Sequence, residues 1–184
     1  MDLDSSLKQA GATQSSKLDW QLSAFDVQPR IRVVFGEGKI NELGDLSREL
    51  GGTRVLVVTD PGIVAAGHFD LALKILEEAG LKVFVFDQVH ENPTTADVAA
   101  CVEVARSNQV DLLVGLGGGS SMDTAKGCNF ILTNGGRMQD YWGIGKATQQ
   151  MLPMVAVPTT SGTGSECQSF ALIADETSHQ QMAC

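Results

Sequence analysis

Basic residues are scarce in this 184-residue sequence. Thirteen Lys and Arg stand against 22 Asp and Glu, a formal net charge of −9. They form no cluster, which argues against nucleic acid and against an anionic membrane surface as partners. A small anionic ligand stays open, because backbone N–H groups hold phosphate without help from Lys or Arg. Cysteine is equally sparse. Cys101, Cys128, Cys167 and Cys184 include no CxxC pair, and no His lies at ligand spacing from any of them. That spacing excludes a zinc knuckle and a dithiol redox pair, and it suggests no disulfide framework. Buried or idle thiols in a reducing cytoplasm are expected. His68, His90 and His179 are isolated and form no HxxxH or HExxH pair. No apolar run approaches the roughly 18 residues that span a bilayer. Residues 1–16 lack a basic segment followed by an apolar one, so no signal peptide is expected. These absences together point to a soluble, cytoplasmic protein.

The rest of the composition is that of a globular chain, 43% hydrophobic and 19% charged. The length suits one domain, or a domain with a tail, that buries roughly 70% of the surface its unfolded chain would expose. Residues 1–30 read as an N-terminal arm, rich in Ser, Gln, Asp and Ala, with Trp20 and Phe25 as its anchors. Residues 31–184 read as one α/β domain. Ile31–Phe35 predicts a strand and Gly36-Glu37-Gly38 a turn. Ile40, Leu43, Leu46 and Leu50 fall at helical spacing, which predicts a helix over 39–50. RVLVVT at 54–59 predicts a strand buried on both faces. A helix follows through Phe69, Ala72, Leu73 and Leu76, with Gly80 at its C′ position. Strands are expected at 81–86, 111–116 and 151–157, with helices through Val98–Ala105 and over 120–132. Such alternation predicts a Rossmann-like parallel sheet flanked by helices. Ligands in such sheets bind beyond the carboxyl ends of the strands. That rule selects Asp60-Pro61-Gly62, the turn after Phe86, Gly117–Ser121 and Pro158–Glu166.

Each of these places carries polar chemistry. Gly117-Gly118-Gly119-Ser120-Ser121 follows a buried strand. It suits close backbone approach to a phosphate, with Ser120 as helix cap and the first-turn amides aimed at the anion. A plain tight turn is the other reading. It is neither GxGxxG nor a P-loop. Pro158–Glu166 holds five hydroxyl residues and two glycines. It reads equally as a donor loop for a polar ligand or as a solvated connection. Asp60 either accepts hydrogen bonds from a ribose or forms an Asp-Pro-Gly turn. Asn92 either bonds a ligand or braces its own turn. Lys126 reads first as a surface residue. Gly127 in mid-helix costs about 1 kcal/mol relative to Ala, which suggests that something packs very close to it.

FGEGKI at 35–40, VVTDPGI at 57–63, ENPTT at 91–95, LGGGSSMDTAK at 116–126 and VPTTSGTGSE at 157–166 occur in this order. With these intervals the chain from about Ile31 to Cys184 resembles the iron-containing (group III) alcohol dehydrogenases. The resemblance implies a dehydroquinate synthase-like N-terminal domain that binds NAD. It implies that Asp60 contacts the adenosine ribose and favours NAD over NADP, and that Asn92 is a further cofactor residue. It places the pyrophosphate over Gly117, Gly118, Gly119, Ser120 and Ser121, with Asp123 nearer the nicotinamide. Thr159, Thr160 and Thr163 would line the cleft, and Leu172 would add a contact. Gln181 stands where the family often has a lysine, and a lost ribose contact there would weaken NAD binding.

The resemblance also implies a helical C-terminal domain, not present in this chain, that supplies one aspartate and three histidines to Fe²⁺ or Zn²⁺. The metal is therefore expected only in a full-length enzyme acting on an alcohol or aldehyde. No catalytic or metal-ligating residue is assigned within 1–184. The rival expectation is a non-catalytic dinucleotide-binding module, or a subunit that needs a separate metal-bearing partner. Self-association through an uncovered apolar face, for example as a homodimer, belongs to the same expectations.

Overall fold

Four short apolar runs form a sheet because each finds a parallel neighbour of matching length. They are β1 (Arg54–Val58), β2 (Lys82–Phe86), β3 (Leu112–Gly117) and β4 (Met154–Pro158), in the spatial order β2-β1-β3-β4. Val57 sits opposite Val85 on one side and Val114 on the other, and Val114 sits opposite Val155. The computed structural model describes residues 31–184, within which Val33–Cys184 forms a compact unit. The N-terminal arm, with Trp20 and Phe25, lies outside the described residues.

The period-two geometry of the strands divides the core into two layers. Leu56, Val58 and Leu113 face one layer, with Val98, Cys101, Val102 and Ala105 of helix α4 (Thr95–Ser107) and Ala125 and Cys128 of helix α5 (Gly119–Asn134). Val55, Val57, Leu112 and Val114 face the other, with Leu43 of α1 (Leu43–Glu49) and Ala72 and Leu76 of α3 (His68–Glu78). Helices therefore cover both faces, as the strand–helix alternation predicts. β3 is buried along its whole length, which is why it reads as an unbroken apolar run. Helix α4 starts at a capping box formed by Thr94 and Asp97. Helix α3 stops before Gly80, whose φ of +80° suits the C′ glycine expected there.

The structure corrects several boundaries. Ile31–Phe35 is not a strand, although its residues are β-formers. A strand needs a ladder partner, and none pairs with this segment among the described residues. Val33 and Phe35 are instead exposed. The helix expected over 39–50 opens as a 3₁₀ turn at Lys39–Glu42 before α1 begins. Asp60-Pro61-Gly62 is not a simple turn. Pro61–Ala65 forms the short helix α2, with proline at its first position. A short hairpin follows β4. Strands β5 (Leu172–Ala174) and β6 (Gln181–Ala183) pair antiparallel, Ile173 opposite Met182. Three residues each is too short for a periodic signal, so their burial partners decide them.

Gly127 shows the close packing that its mid-helix position suggests. A Cβ there would lie 2.8 Å from Val98 Cγ2, so the glycine sets how closely α4 and α5 approach. Val98 is β-branched and buried and has little room to give. Gly127→Val is expected to lower unfolding stability by about 2 kcal/mol through overpacking. Urea denaturation checks this, with Gly127→Ala expected to fall between the variant and the wild type.

Candidate functional site

The carboxyl ends of all four parallel strands open into one cleft of about 710 Å³. Asp60, Pro61 and Ile63 enter it from the end of β1, and Val89, His90 and Glu91 from beyond β2. Gly118 and Ser120 enter after β3, and Thr159 and Thr160 after β4. The strand order reverses direction between β1 and β3, which is the crevice where such sheets take ligands.

The glycine loop performs two separate jobs. Gly117 ends β3 at φ +144°, and a Cβ there would meet Ser121 Oγ at 2.6 Å. Only glycine fits that position. Gly118 is the N-cap of α5, at φ −79° and ψ −171°, and no side chain caps the helix. Ser120 therefore does not act as the cap, because the helix starts one residue before it. The first-turn N–H groups are left as unfilled donors beside Gly118 and Ser120, at the positive end of the helix dipole. Gly119 lies against Thr163, whose side chain a Cβ would touch at 3.4 Å.

Asp60 is held from two sides. Its Oδ1 accepts the Ile63 N–H at 3.0 Å, which caps α2, and its Oδ2 accepts the Ser121 hydroxyl at 3.3 Å. Ser121 is fully buried. It braces Asp60 across the crevice between β1 and β3. Each Asp60 oxygen keeps a further lone pair for a ligand.

Asp123 and Lys126 form a buried clamp. The Lys126 ammonium donates to the Ser165 carbonyl at 2.6 Å, to Ser165 Oγ at 2.9 Å, to the Phe170 carbonyl at 3.0 Å and to Asp123 Oδ1 at 3.3 Å. Ser165 Oγ in turn donates to Asp123 at 2.6 Å. The Lys126 side chain is 12% exposed, so the surface reading of this lysine is wrong. Burial pulls its pKa below the usual lysine value, while Asp123 and Glu166 favour the cation. The clamp ties α5 to the 165–170 segment, at the far end of the hydroxyl loop that lines the cleft. Sequence spacing did not reveal this, because the partners are 39 and 44 residues away.

The remaining sequence-derived residues stand apart from the cleft lining. Asn92 is exposed, in the left-handed region at φ +54°. Leu172 lies on β5 opposite Ala183, and Gln181 lies on β6. Conversely, the cleft includes His90, which the motif reading left unused. Its Nδ1 is 2.7 Å from Asp97 Oδ1. Among the described residues no three His, Cys, Asp or Glu converge as a metal site. Cys101, Cys128 and Cys184 are buried free thiols. The Cys128 hydrogen bond and burial push the Cys101 thiol well up, and burial pushes Cys184 up to about 11.

Fold and cleft together define a Rossmann-like α/β domain with an anion-ready helix terminus at its switch point. The chain belongs to the iron-containing alcohol dehydrogenase family, whose profile matches residues 29–184. Alcohol dehydrogenase 4 of Schizosaccharomyces pombe is 40% identical over 150 residues, covering 82% of this chain and 36% of that protein. The crystal structure of a 1,3-propanediol oxidoreductase superposes with a TM-score of 0.81 at 35% identity, over 88% of this chain and 42% of that one. Sulfoacetaldehyde reductase from Bifidobacterium kashiwanohense, in complex with NAD⁺, superposes with a TM-score of 0.77 at 30% identity, over 88% and 43%. The chain thus spans well under half the length of these relatives.

Lys126→Met leaves the Asp123 carboxylate buried without its cation. It is expected to cost about 3 kcal/mol of unfolding stability. The double variant Lys126→Met/Asp123→Asn is expected to recover part of that loss. Urea unfolding of the two variants beside the wild type makes the comparison.

Proposed function

We propose that the cleft binds NAD(H). On this reading the chain is the cofactor-binding part of an oxidoreductase that interconverts an alcohol with an aldehyde or ketone. The observation that carries the proposal is the uncapped first turn of α5. It leaves backbone donors at the cleft floor, where Gly118 and Ser120 offer no bulk to keep a pyrophosphate away. The NAD⁺ in the related sulfoacetaldehyde reductase supports the same ligand.

The cleft-lining residues suit such a cofactor. Gly118, Gly119 and Ser120 would hold the pyrophosphate by backbone N–H groups. Asp60, kept rigid by Ile63 and Ser121, would accept from the adenosine ribose. Thr159 and Thr160 would face the cofactor from the β4 side, on a loop whose far end the Asp123–Ser165–Lys126 clamp holds. The bound nicotinamide supplies the hydride acceptor. The chain's own task is to orient it and to fix its two ends. Asn92 and Leu172 join this proposal only as residues that ligand binding would have to reach. The described residues do not fit iron, because no ligand set converges among them. That same observation favours a second reading, a dinucleotide-binding module that works with metal ligands from elsewhere. The unpaired thiols suit a reducing compartment, and a cytoplasmic location goes with the proposal.

Two outcomes test it. Calorimetric titration is expected to show NADH binding at least about tenfold tighter than NADPH, because the Asp60 charge repels a 2′-phosphate. Asp60→Asn keeps the helix cap and is expected to narrow that gap. Equal or tighter NADPH binding by the wild type would remove the role given to Asp60. In the second test, Gly118→Val is expected to lose NADH binding while keeping unfolding stability within about 0.5 kcal/mol of wild type. Its backbone angles suit any residue, and a Cβ meets only Thr160, at 3.5 Å. Retained affinity would mean that the glycine loop is a turn and nothing more.

A further inference from the structure

His90 is an exposed imidazole held in one orientation. Its side chain is 78% exposed, yet Nδ1 lies 2.7 Å from Asp97 Oδ1. Asp97 is itself fixed. Its Oδ2 accepts the Thr94 N–H at 2.8 Å and the Thr94 hydroxyl at 3.0 Å, in the capping box of α4. Burial alone would push the Asp97 pKa up. The bonds from the Thr94 backbone, His90 and the Thr94 hydroxyl outweigh it and hold the carboxyl below its usual value. An ionised carboxylate only accepts hydrogen bonds, so His90 Nδ1 carries the proton that bonds it. In the neutral ring Nε2 is then an acceptor, and it bonds neither Asp97 nor any other described residue.

The fold brings His90 to the same cleft as Asp60. The Val89 N–H donates to the Thr59 carbonyl at 3.3 Å. That bond places His90 and Asp60, each one residue further on, at the ends of neighbouring parallel strands. Both line the same cleft. The two hydroxyls of a ribose are both donors. Each Asp60 oxygen already accepts one bond from the protein, from Ile63 or Ser121, so a diol meets a partly occupied carboxylate. A second acceptor in the same cleft, with its ring held by Asp97, would share the load.

We propose that His90 is a specificity-determining residue of this cleft, whose Nε2 accepts a hydrogen bond from a ribose hydroxyl of the adenosine half of the ligand. The proposal rests on the dinucleotide reading of the cleft. It extends that reading to a residue outside the glycine, PTTSGTGSE and Asp60 motifs. Asp97 acts through His90 as a positioning residue, and Thr94 holds Asp97.

The test uses ADP, 2′-deoxy-ADP and 3′-deoxy-ADP, titrated calorimetrically into wild type and His90→Asn. An asparagine amide can reach the Nδ1 position and keep the bond to Asp97, but it has no atom at Nε2. One lost hydrogen bond is expected to weaken ADP binding about fivefold. The loss should vanish with whichever deoxynucleotide lacks the contacted hydroxyl. A structural role for His90 would weaken all three nucleotides alike, and that result overturns the proposal by placing the effect elsewhere than a hydroxyl. Unchanged ADP affinity in His90→Asn overturns it too. If neither ADP nor NADH binds the wild type, the dinucleotide reading itself fails and takes this inference with it. Binding by the wild type with no His90 effect leaves that reading standing and removes only the role of His90.

Discussion

Between the last residue of β3 and the first of α5 the backbone has only Gly118 in which to pass from strand to helix. No side chain closes the helix behind it. The cleft depends on that passage. Gly117 must be glycine, because Ser121 already occupies the space a Cβ would need. Ser121 in turn reaches across the crevice to Asp60. The strained turn, the free helix donors and the bracing of the carboxylate therefore have a single cause, the close approach of β1, β3 and the first turn of α5.

Helix α5 can take this position because small residues let it sink into the domain. Gly115 on β3 meets the backbone of Met122, and Gly127 meets Val98 on α4. Deep burial then obliges its polar groups to find partners. Asn129 exchanges two hydrogen bonds with the Leu152 backbone, at 2.9 and 3.0 Å, just before β4 begins. Lys126 and Asp123 take up the backbone and hydroxyl of Ser165. The helix whose first turn is left without a side-chain cap at one end thus holds, along its length, the segments on either side of the β4 edge of the cleft. Binding donors and loop position are mechanically one unit.

The side of the cleft at the ends of β1 and β2 is built differently. There the rigid parts are two helix caps, Asp60 on α2 and the Thr94–Asp97 box on α4. A capping carboxylate is tied down by backbone amides, so whatever it touches is positioned without a large core around it. His90 inherits its orientation in this way while remaining open to solvent. Caps fix the polar residues on one side of the cleft, and a buried ion cluster steadies the other.

The order of strands and helices was legible in the sequence because it rests on local periodicity. RVLVV, KVFVF and LLVGL are short apolar runs, and the helices between them repeat at three and four residues. The motif positions were legible for a related reason. Gly117, Asp60, Thr159 and Thr160 stand next to strand ends, and the parallel topology brings strand ends together. What the sequence could not determine depends on contacts across long stretches of chain. Lys126 looks like any lysine near a helix start until Ser165 and Phe170 fold over it. Ile31–Phe35 looks like a strand, but a strand is fixed by its partner and not by its propensity. His90 is one polar residue in a turn until a cap seven residues on aligns its ring and Thr59 anchors its neighbour. Local preference is written residue by residue. Burial and hydrogen-bond satisfaction belong to pairs distant in sequence, so only the folded chain decided them.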